Sequence, residues 1–395
     1  AKIIAVNAGS SSLKFQLFEL SDESVVASGI VERIGLEEGI YTLKYNGEKF
    51  VVNKPIPNHG VGVQILLDSL IEKGIVKELS EIVGVGHRVV QGGPYFSESA
   101  VVDDYVISKV DELKELAPLH NPAHLTGYYA FKEAVPNAGA VMVFDTAFHQ
   151  TIEPKYYIYP VPYEYYTKYK VRKYGAHGTS HLYVSQRTID LLGNPEHSNV
   201  IVCHLGAGGS LTAVKDGKSF NTSMGLTPLA GIMMGTRSGE LDPSVVDFMV
   251  NNIGLPASQI SSTLNKQSGL LGVSGVSSDF RDVEAGANEG NERCQLALDI
   301  YYQKVADFIA QYYVALGHVD AIAFTAGIGE NSALARGKIL ELVAEATGIV
   351  VDEEANKKAR GEALISAPES QIKVFVIPTN EELMIFRDTK RLLGL

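Results

Sequence analysis

Short apolar runs alternate with stretches of helical spacing along the whole chain, and this alternation predicts an α/β protein. Two of the runs, residues 3–6 and 200–203, each lead into a turn rich in glycine and hydroxyl side chains and then into a second strand. The pattern predicts a β-hairpin at the corresponding place in each half. Because glycine turns can present consecutive backbone N–H groups to an anion, the repetition indicates a duplicated fold with a nucleotide held between the halves. Either turn alone could equally be a hairpin without a ligand.

The same periodicity predicts the remaining elements. Apolar or alternating runs predict strands at residues 41–45 and 49–52, joined by an Asn-Gly turn, and at residues 82–85, 140–144, 320–324 and 373–377. Helical spacing predicts helices at residues 60–73, 106–116, 242–251 and 295–315, and a capped last helix that runs to residue 393. The helix at 295–315 should bury an apolar stripe through Leu296, Ile300, Val305, Ile309 and Tyr313.

Residues 151–175 are rich in tyrosine and proline and predict a loop-rich linker. We therefore expect one domain at residues 1–148 plus 382–395, to which the last helix returns, and a nucleotide-binding domain at residues 149–381.

The composition narrows the class of protein. With 395 residues, of which 45% are hydrophobic and 20% charged, the chain can bury sizeable cores. A net charge of −12 argues against a protein that binds nucleic acid. The apolar runs fall far short of the ~20 residues that span a bilayer, so we expect no membrane association. The sequence does not open on a charged-then-apolar leader, and two cysteines are too few for a disulfide framework, so we expect a cytoplasmic protein.

Polar groups follow several predicted strands, where ligands of open α/β sheets bind. They are Asn7, Ser10 and Ser12; His87 and Arg88; Asp145; His204; and the predicted turn at residues 327–331. Arg88 and Arg237 have the planar guanidinium that clamps carboxylate or phosphate, although a surface ion pair is the alternative for each. Asp145 and the pair Glu381 and Glu382 could serve acid–base chemistry or hold hydrated Mg²⁺. The pair could also be ordinary acids in the first turn of a helix.

Two histidine pairs, His120 with His124 and His177 with His181, have a spacing that could bind zinc. A proline and a glycine interrupt these spans, so we favour contacts with phosphate or carboxylate and keep a zinc hydrolase as an alternative. Residues 216–219 resemble the end of a Walker A loop, but the required upstream glycine is missing. The sequence also has neither a dinucleotide-binding fingerprint nor a Gly-x-Ser-x-Gly elbow.

Eight motifs, taken in order and over nearly the whole chain, resemble the acetate kinase family within the superfamily of actin-like, hexokinase-like and Hsp70-like ATPases. They are VNAGSSSLKF at 6–15, GHRVV at 86–90, PLHNP at 118–122, VFDTAFH at 143–149, YGAHGTSH at 174–181, MGTRSG at 234–239, GIGEN at 327–331 and PTNEE at 378–382.

The resemblance implies two similar actin-like (ribonuclease H-like) domains with the active site in the cleft between them, and a homodimer. It implies reversible, Mg²⁺-dependent transfer of a phosphoryl group from ATP to the carboxylate of acetate, giving acetyl phosphate and ADP, with Mn²⁺ able to replace Mg²⁺. The tyrosine-rich segment and the helix at 295–315 are our candidates for the dimer interface.

The resemblance also implies roles for residues, position by position. The catalytic residues would be Asp145, Arg88, Arg237 and His177, of which Arg237 and His177 stabilise the transition state. Arg88 would bind the carboxylate, and Val90, Leu119, Ala176 and Pro228 would line the acyl pocket. Asn7 and Glu381 would hold the metal. The nucleotide would be bound by Ser10, Ser12, Lys14, His204, Gly206, Gly208, Gly209, Asp279, Arg281, Gly327, Ile328, Gly329 and Asn331.

A carboxylate is already a nucleophile at neutral pH, because its pKa is ~4. Direct in-line transfer, with charge stabilisation as the main contribution, is therefore favoured over a phosphorylated Asp145 or Glu381. Three departures from the family pattern concern substrate contacts: Ala207 stands where members often have asparagine, Ala176 where many have phenylalanine, and Gln91 where histidine is commoner. Ala176 would widen the acyl pocket, so propionate is an alternative acceptor. A non-catalytic, actin-like ATP-binding switch is the alternative outside the enzymes.

Overall fold

Two separate β-sheets organise the protein, which the computed structural model describes over residues 1–395. Contacts divide the chain into unit 1, made of Ala1–Gln150 and Asn380–Leu395, and unit 2, made of Thr151–Thr379. No helix combines the length and the apolar character that crossing a membrane would need.

Unit 1 contains the eight-stranded sheet. Its strands are β1 (Lys2–Ala8), β2 (Leu13–Glu19), β3 (Val25–Glu32), β4 (Gly39–Tyr45), β5 (Glu48–Lys54), β6 (Ile82–Val89), β7 (Ala100–Val101) and β8 (Gly139–Phe144). Its helices are α1 (His59–Glu72), α2 (Asp104–Glu112), α3 (Asn121–Ala134) and the last helix of the chain, α15 (Glu381–Leu393), with 3-10 turns at Leu79–Glu81, Leu113–Glu115 and Ala147–Thr151.

The apolar run of β1 lacks alternation because both faces of its sheet are covered. Ile4 and Val6 belong to the core that α1 and α3 share. Ile3 and Ala5 point to the opposite face and pack with Phe386 of α15. The Asn380 side chain caps α15 by accepting from the Leu383 N–H at 3.1 Å, as the sequence predicts.

Unit 2 contains the six-stranded sheet. Its strands are β9 (Asn199–Leu205), β10 (Gly209–Lys215), β11 (Lys218–Thr222), β12 (Ala321–Thr325), β13 (Ala363–Leu364) and β14 (Lys373–Val376). Its helices are α4 (Pro154–Tyr157), α5 (Glu164–Tyr169), α6 (Gly178–Leu191), α7 (Ser244–Phe248) with a π-helical turn at Met249–Ile253, α8 (Ala257–Lys266), α9 (Gly269–Ser274), α10 (Phe280–Asn288), α11 (Glu292–Leu316), α12 (Ala326–Asn331), α13 (Ala333–Thr347) and α14 (Glu353–Lys358).

The two sheets share one topology. In unit 1 the order β3-β2-β1-β6-β8, and in unit 2 the order β11-β10-β9-β12-β14, place an antiparallel three-stranded meander beside two strands parallel to its first strand. This is the ribonuclease H-like arrangement, so the predicted α/β fold with two similar halves is confirmed. Both predicted hairpins are confirmed as well: Ala8 pairs with Leu13, and Leu205 pairs with Gly209.

One expectation about local structure is wrong, and a second is confirmed only in part. Residues 327–331 form helix α12, not a turn, because Ala326 alone, at φ 66°, turns the chain from β12 into the helix. The predicted stripe on α11 is confirmed at Val305 and Ile309, which are fully buried, and wrong at Leu296, which is 52% exposed. Leu298 and Tyr301 are buried in addition. This helix has apolar side chains on several faces, and packing against Phe280 and its neighbours selects the buried one.

Candidate active site

A partly buried ion pair lies at the carboxyl ends of two neighbouring parallel strands in unit 1, β6 and β8. Arg88 donates from Nε to Oδ1 of Asp145 at 2.9 Å and from Nη2 to Oδ2 at 2.6 Å. The Asp145 side chain is 4% exposed and that of Arg88 is 28% exposed. The carboxylate therefore fixes the orientation of the guanidinium and raises the Arg88 pKa, while part of the Arg88 side chain stays accessible.

The accessible part of Arg88 lines a cavity of about 390 Å³ in unit 1, together with Asn7, Lys14, Glu381 and Glu382. Burial raises the pKa of Glu381 from 4.5 to about 7, with Asp145 and Glu382 adding to the effect and Arg88 opposing it. The cavity thus brings one amide and two carboxyl groups near one guanidinium. Two oxygen ligands suit Mg²⁺, which usually keeps several waters, so the donor set fits the predicted metal.

The glycine turn after β1 closes through the Gly9 N–H, which donates to the Ser12 carbonyl at 2.8 Å. A Cβ at Gly9 would lie 2.8 Å from the Ser12 hydroxyl, so a larger residue here would displace that hydroxyl. The Gly9 carbonyl also lies 2.8 Å from Nε2 of His59. Ser10 and Lys14 are exposed and Ser12 is half-buried. These three predicted nucleotide residues belong to unit 1, unlike the other members of that set.

Unit 2 contains a larger cavity, of about 730 Å³. The predicted nucleotide residues that line it are Gly206, Asp279, Arg281, Gly327, Ile328 and Asn331, and Ala207 lines it too. Leu270, Phe280 and Leu334 add apolar surface. A cavity with apolar walls and a few polar groups suits a nucleoside. His204, Gly208, Gly209 and Gly329, also predicted for the nucleotide, do not line it.

Gly208 lies instead beside two predicted catalytic residues. A Cβ on Gly208 would lie 3.3 Å from Nη1 of Arg237 and 3.6 Å from Cε1 of His177. Nη1 of Arg237 donates to the Pro228 carbonyl at 3.1 Å, and no carboxylate pairs with this guanidinium. Burial lowers the Arg237 pKa. The backbone of the turn between β9 and β10 therefore lies beside the guanidinium of Arg237 and the imidazole of His177, and an anion could approach it there.

A hydroxyl–imidazole network supports His177 from inside unit 2. The fully buried Ser210 hydroxyl lies 2.8 Å from Nδ1 of His177 and 2.8 Å from Nε2 of His181. The rings of His177 and His204 stack with centroids 4.1 Å apart. The Ser180 hydroxyl lies 2.8 Å from Nδ1 of His204. Ser210 thus lies within hydrogen-bond distance of both His177 and His181, the second of the two histidine pairs.

Sequence reasoning missed Ser210 and Ser180. The available signal was register, because Ser210 stands directly opposite His204 in the β9–β10 pair. No group of three or more histidine, cysteine, aspartate or glutamate side chains is arranged to hold a metal ion, so the zinc hydrolase has no observation in its favour.

The predicted acyl-pocket residues are divided between the units. Val90 and Leu119 belong to unit 1, where Leu119 is 71% exposed, whereas Ala176 and Pro228 belong to unit 2, where Ala176 is buried. Gln91 is buried and accepts from the Gly93 N–H at 2.7 Å. The Gln91 side chain thus stabilises a local turn.

Comparison with known proteins gives a consistent result. The model of the acetokinase family matches residues 2–387. An acetate kinase of Geobacillus sp. (strain WCH70) is 53% identical over 393 residues, which cover 99% of each chain. The crystal structure of Porphyromonas gingivalis acetate kinase matches with a TM-score of 0.96 at 45% identity and covers 100% of both chains. A propionate kinase from Francisella tularensis subsp. tularensis SCHU S4 matches with a TM-score of 0.92 at 42% identity, over 99% of this chain and 100% of the other.

Proposed function

Because the chain belongs to the acetokinase family, we propose that it transfers the terminal phosphoryl group of ATP reversibly to the carboxylate of acetate, giving acetyl phosphate and ADP. The observation that carries this proposal is the pair of Arg88 and Asp145. The buried aspartate orients the guanidinium, and Arg88 lines a cavity of about 390 Å³ that would receive the small carboxylate.

Unit 1 would bind the acceptor. The acetate carboxylate is ionised at neutral pH, so it needs to be oriented by Arg88 but does not need a base. Both Asp145 oxygens already accept from Arg88, which leaves this residue poorly placed to attack phosphorus itself. This arrangement supports direct in-line transfer over an aspartyl-phosphate intermediate.

Unit 2 would bind the donor. The cavity of about 730 Å³ would hold the nucleoside, and the absence of a side chain at Gly208 would let phosphate approach the backbone. Arg237 and His177, beside that glycine, would stabilise the negative charge of the transferring phosphoryl group. Because no carboxylate neutralises Arg237, its charge is available to that anion.

Asn7 and Glu381 would hold Mg²⁺, or Mn²⁺ in its place, and the ion would supply positive charge to the phosphate oxygens when bound. We also propose domains at residues 1–148 plus 382–395 and 149–381, and a cytoplasmic homodimer. The free, buried thiols of Cys203 and Cys294 agree with a reducing compartment. Exposed Phe248 and Ile253 offer apolar surface to a partner.

Hydroxylamine trapping of the acyl phosphate tests the proposal. The purified protein is incubated with Mg-ATP and acetate, propionate or butyrate, and hydroxamate is measured. We expect hydroxamate to form with acetate. The ratio of the hydroxamate formed with acetate to that formed with propionate reports the effect of Ala176 on the choice of acceptor. Arg88→Ala and Arg237→Ala should lose most turnover while their circular dichroism is unchanged. Arg187→Ala, which removes only a surface ion pair with Glu362, is the control. ATP binding without hydroxamate from any acid would instead support the nucleotide switch.

A further inference from the structure

One buried hydroxyl in unit 2 serves two imidazoles. Ser210 Oγ lies 2.8 Å from His177 Nδ1 and 2.8 Å from His181 Nε2, both ordinary hydrogen-bond lengths. We propose that Ser210 and His181 are positioning residues that hold His177 in the tautomer with its proton on Nε2. The catalytic consequence rests on the function proposed above, in which His177 meets the transferring phosphoryl group.

Counting protons limits the arrangements. A serine hydroxyl has one proton and two lone pairs. Two hydrogen bonds to imidazole nitrogens therefore require at least one imidazole N–H to donate to Oγ. Ser210 Oγ has only these two ring nitrogens as hydrogen-bond partners, so the hydroxyl donates its proton either to His177 or to His181. Either the hydroxyl donates to His177 and His181 donates to Oγ, or both directions are reversed.

The surroundings of His177 select between these arrangements. Its Cε1 lies beside Gly208, next to the Arg237 guanidinium, and Nε2 is bonded to Cε1 in the ring. This edge of the imidazole therefore faces the place proposed for phosphate. A bare Nε2 lone pair would repel phosphate oxygens, whereas an Nε2 proton would be donated to them. The first arrangement follows: His181 Nε2–H donates to Ser210 Oγ, and the hydroxyl donates to His177 Nδ1.

The backbone makes this arrangement rigid. Ser210 belongs to β10 and is paired with His204 of β9. His177 precedes α6 with a left-handed φ of 54°, and His181 follows one turn later on that helix. A hydroxyl fixed on a central strand thus sets the proton position of a side chain at a helix N-terminus.

The tautomer can be read without any activity measurement. Long-range ¹H–¹⁵N correlation spectra of protein labelled at its histidines distinguish protonated from bare ring nitrogens, and the His177 signals are those lost in His177→Gln. We expect a protonated Nε2 and a bare Nδ1 for His177. The reverse pattern in the wild-type protein would overturn the proposal, even if hydroxamate is formed. Absence of hydroxamate with the expected tautomer would count against the proposed function alone.

Paired substitutions test whether hydrogen bonds from His181 and Ser210 hold the His177 tautomer. Gln at position 181 keeps an N–H donor near Nε2, whereas Met has similar size and no donor. His181→Met should lower kcat by about tenfold, which corresponds to the loss of one hydrogen bond, and should leave the KM for ATP nearly unchanged. His181→Gln should keep most of the wild-type kcat. Ser210→Ala should mix the His177 tautomers and lower kcat similarly. Thr212→Val removes another buried hydroxyl, bonded to Thr222 instead, and should leave kcat unchanged.

Equal losses in His181→Met and His181→Gln would overturn the proposal. So would an unmixed His177 tautomer in Ser210→Ala. Should Ser210→Ala fail to fold, the wild-type spectra and the two His181 variants still decide the question.

Discussion

Replacing Asp145 with asparagine removes one charge while preserving the shape of the side chain. Asp145 accepts two hydrogen bonds from Arg88, at 2.9 and 2.6 Å, and an amide can accept only one of them. Breaking a buried ion pair by removing one partner costs about 3–5 kcal/mol. Because Arg88 keeps 28% of its side chain exposed and can be partly hydrated, we expect about 3 kcal/mol. If this energy orients Arg88 toward the acceptor, kcat/KM should fall by about 10²-fold.

Steady-state kinetics with the hydroxamate assay measures this loss, and urea unfolding measures the change in stability. The double variant Arg88→Ala/Asp145→Asn should be no worse than Arg88→Ala, because Asp145 acts through the guanidinium. Asp388→Asn is the matched control: this carboxylate of α15 pairs with Arg391 and accepts a hydrogen bond from the Ser99 hydroxyl. Neither partner is a predicted site residue, so activity should be unchanged. Wild-type kinetics in folded Asp145→Asn would refute the orienting role. A further loss in the double variant would show that Asp145 acts independently of Arg88.

Three further predictions concern other parts of the molecule. Gly208→Ala should lower kcat by about tenfold or more, because the new Cβ would lie only 3.3 Å from Nη1 of Arg237. Gly337→Ala on α13 is the control, and equal activity of the two variants would contradict the prediction. The buried Arg336 donates to Asn356 and to the Gly329 and Glu330 carbonyls of α12. Arg336→Met should therefore lower the free energy of unfolding by about 3 kcal/mol and raise the KM for ATP, whereas exposed Arg360→Met should change neither; unfolding curves that coincide with wild type would exclude this. Burial, with a smaller contribution from His124, lowers the pKa of His87 from 6.5 to about 3, so only the unfolded chain binds this proton between those pH values. The contribution of His87 to stability should fall by about 1.4 kcal/mol per pH unit as the pH drops below about 6.5. Unfolding experiments at several pH values should therefore find a shallower fall in His87→Leu.

The hairpins could be predicted because their signals are local. Glycine and hydroxyl residues between apolar strands determine the turns at Gly9 and Gly208 whatever the rest of the chain does. The buried strands could be predicted equally well, because a strand covered on both faces loses the alternation of apolar and polar residues. For α11 the local signal was ambiguous. Apolar side chains occupy several of its faces, and only tertiary packing leaves Leu296 exposed and Tyr301 buried.

The site shows the same division between local and distant information. Arg88 and Asp145 could each be chosen from their position after a buried strand. Their pairing depends on β6 and β8 being neighbours, which brings together residues 57 positions apart. The only local signal for Ser210 is its position opposite His204 in the β9–β10 hairpin, and a serine within an apolar strand is otherwise common. Its importance follows from two histidines that α6 brings to it.

The order in which unit 1 is completed has a consequence for biosynthesis. Its sheet is built from the first residues of the chain, but one face is covered by α15, which is made only after all of unit 2. Until then Ile3 and Val143 lack the cover of Phe386, and Glu381 is absent from the cavity beside Arg88. A nascent chain on the ribosome therefore exposes an apolar sheet face while unit 2 can already fold, which is the condition that recruits chaperones. Helix α15 both covers this sheet face and supplies Glu381, a predicted metal ligand, so unit 1 acquires the two features only once the chain has been synthesised through α15.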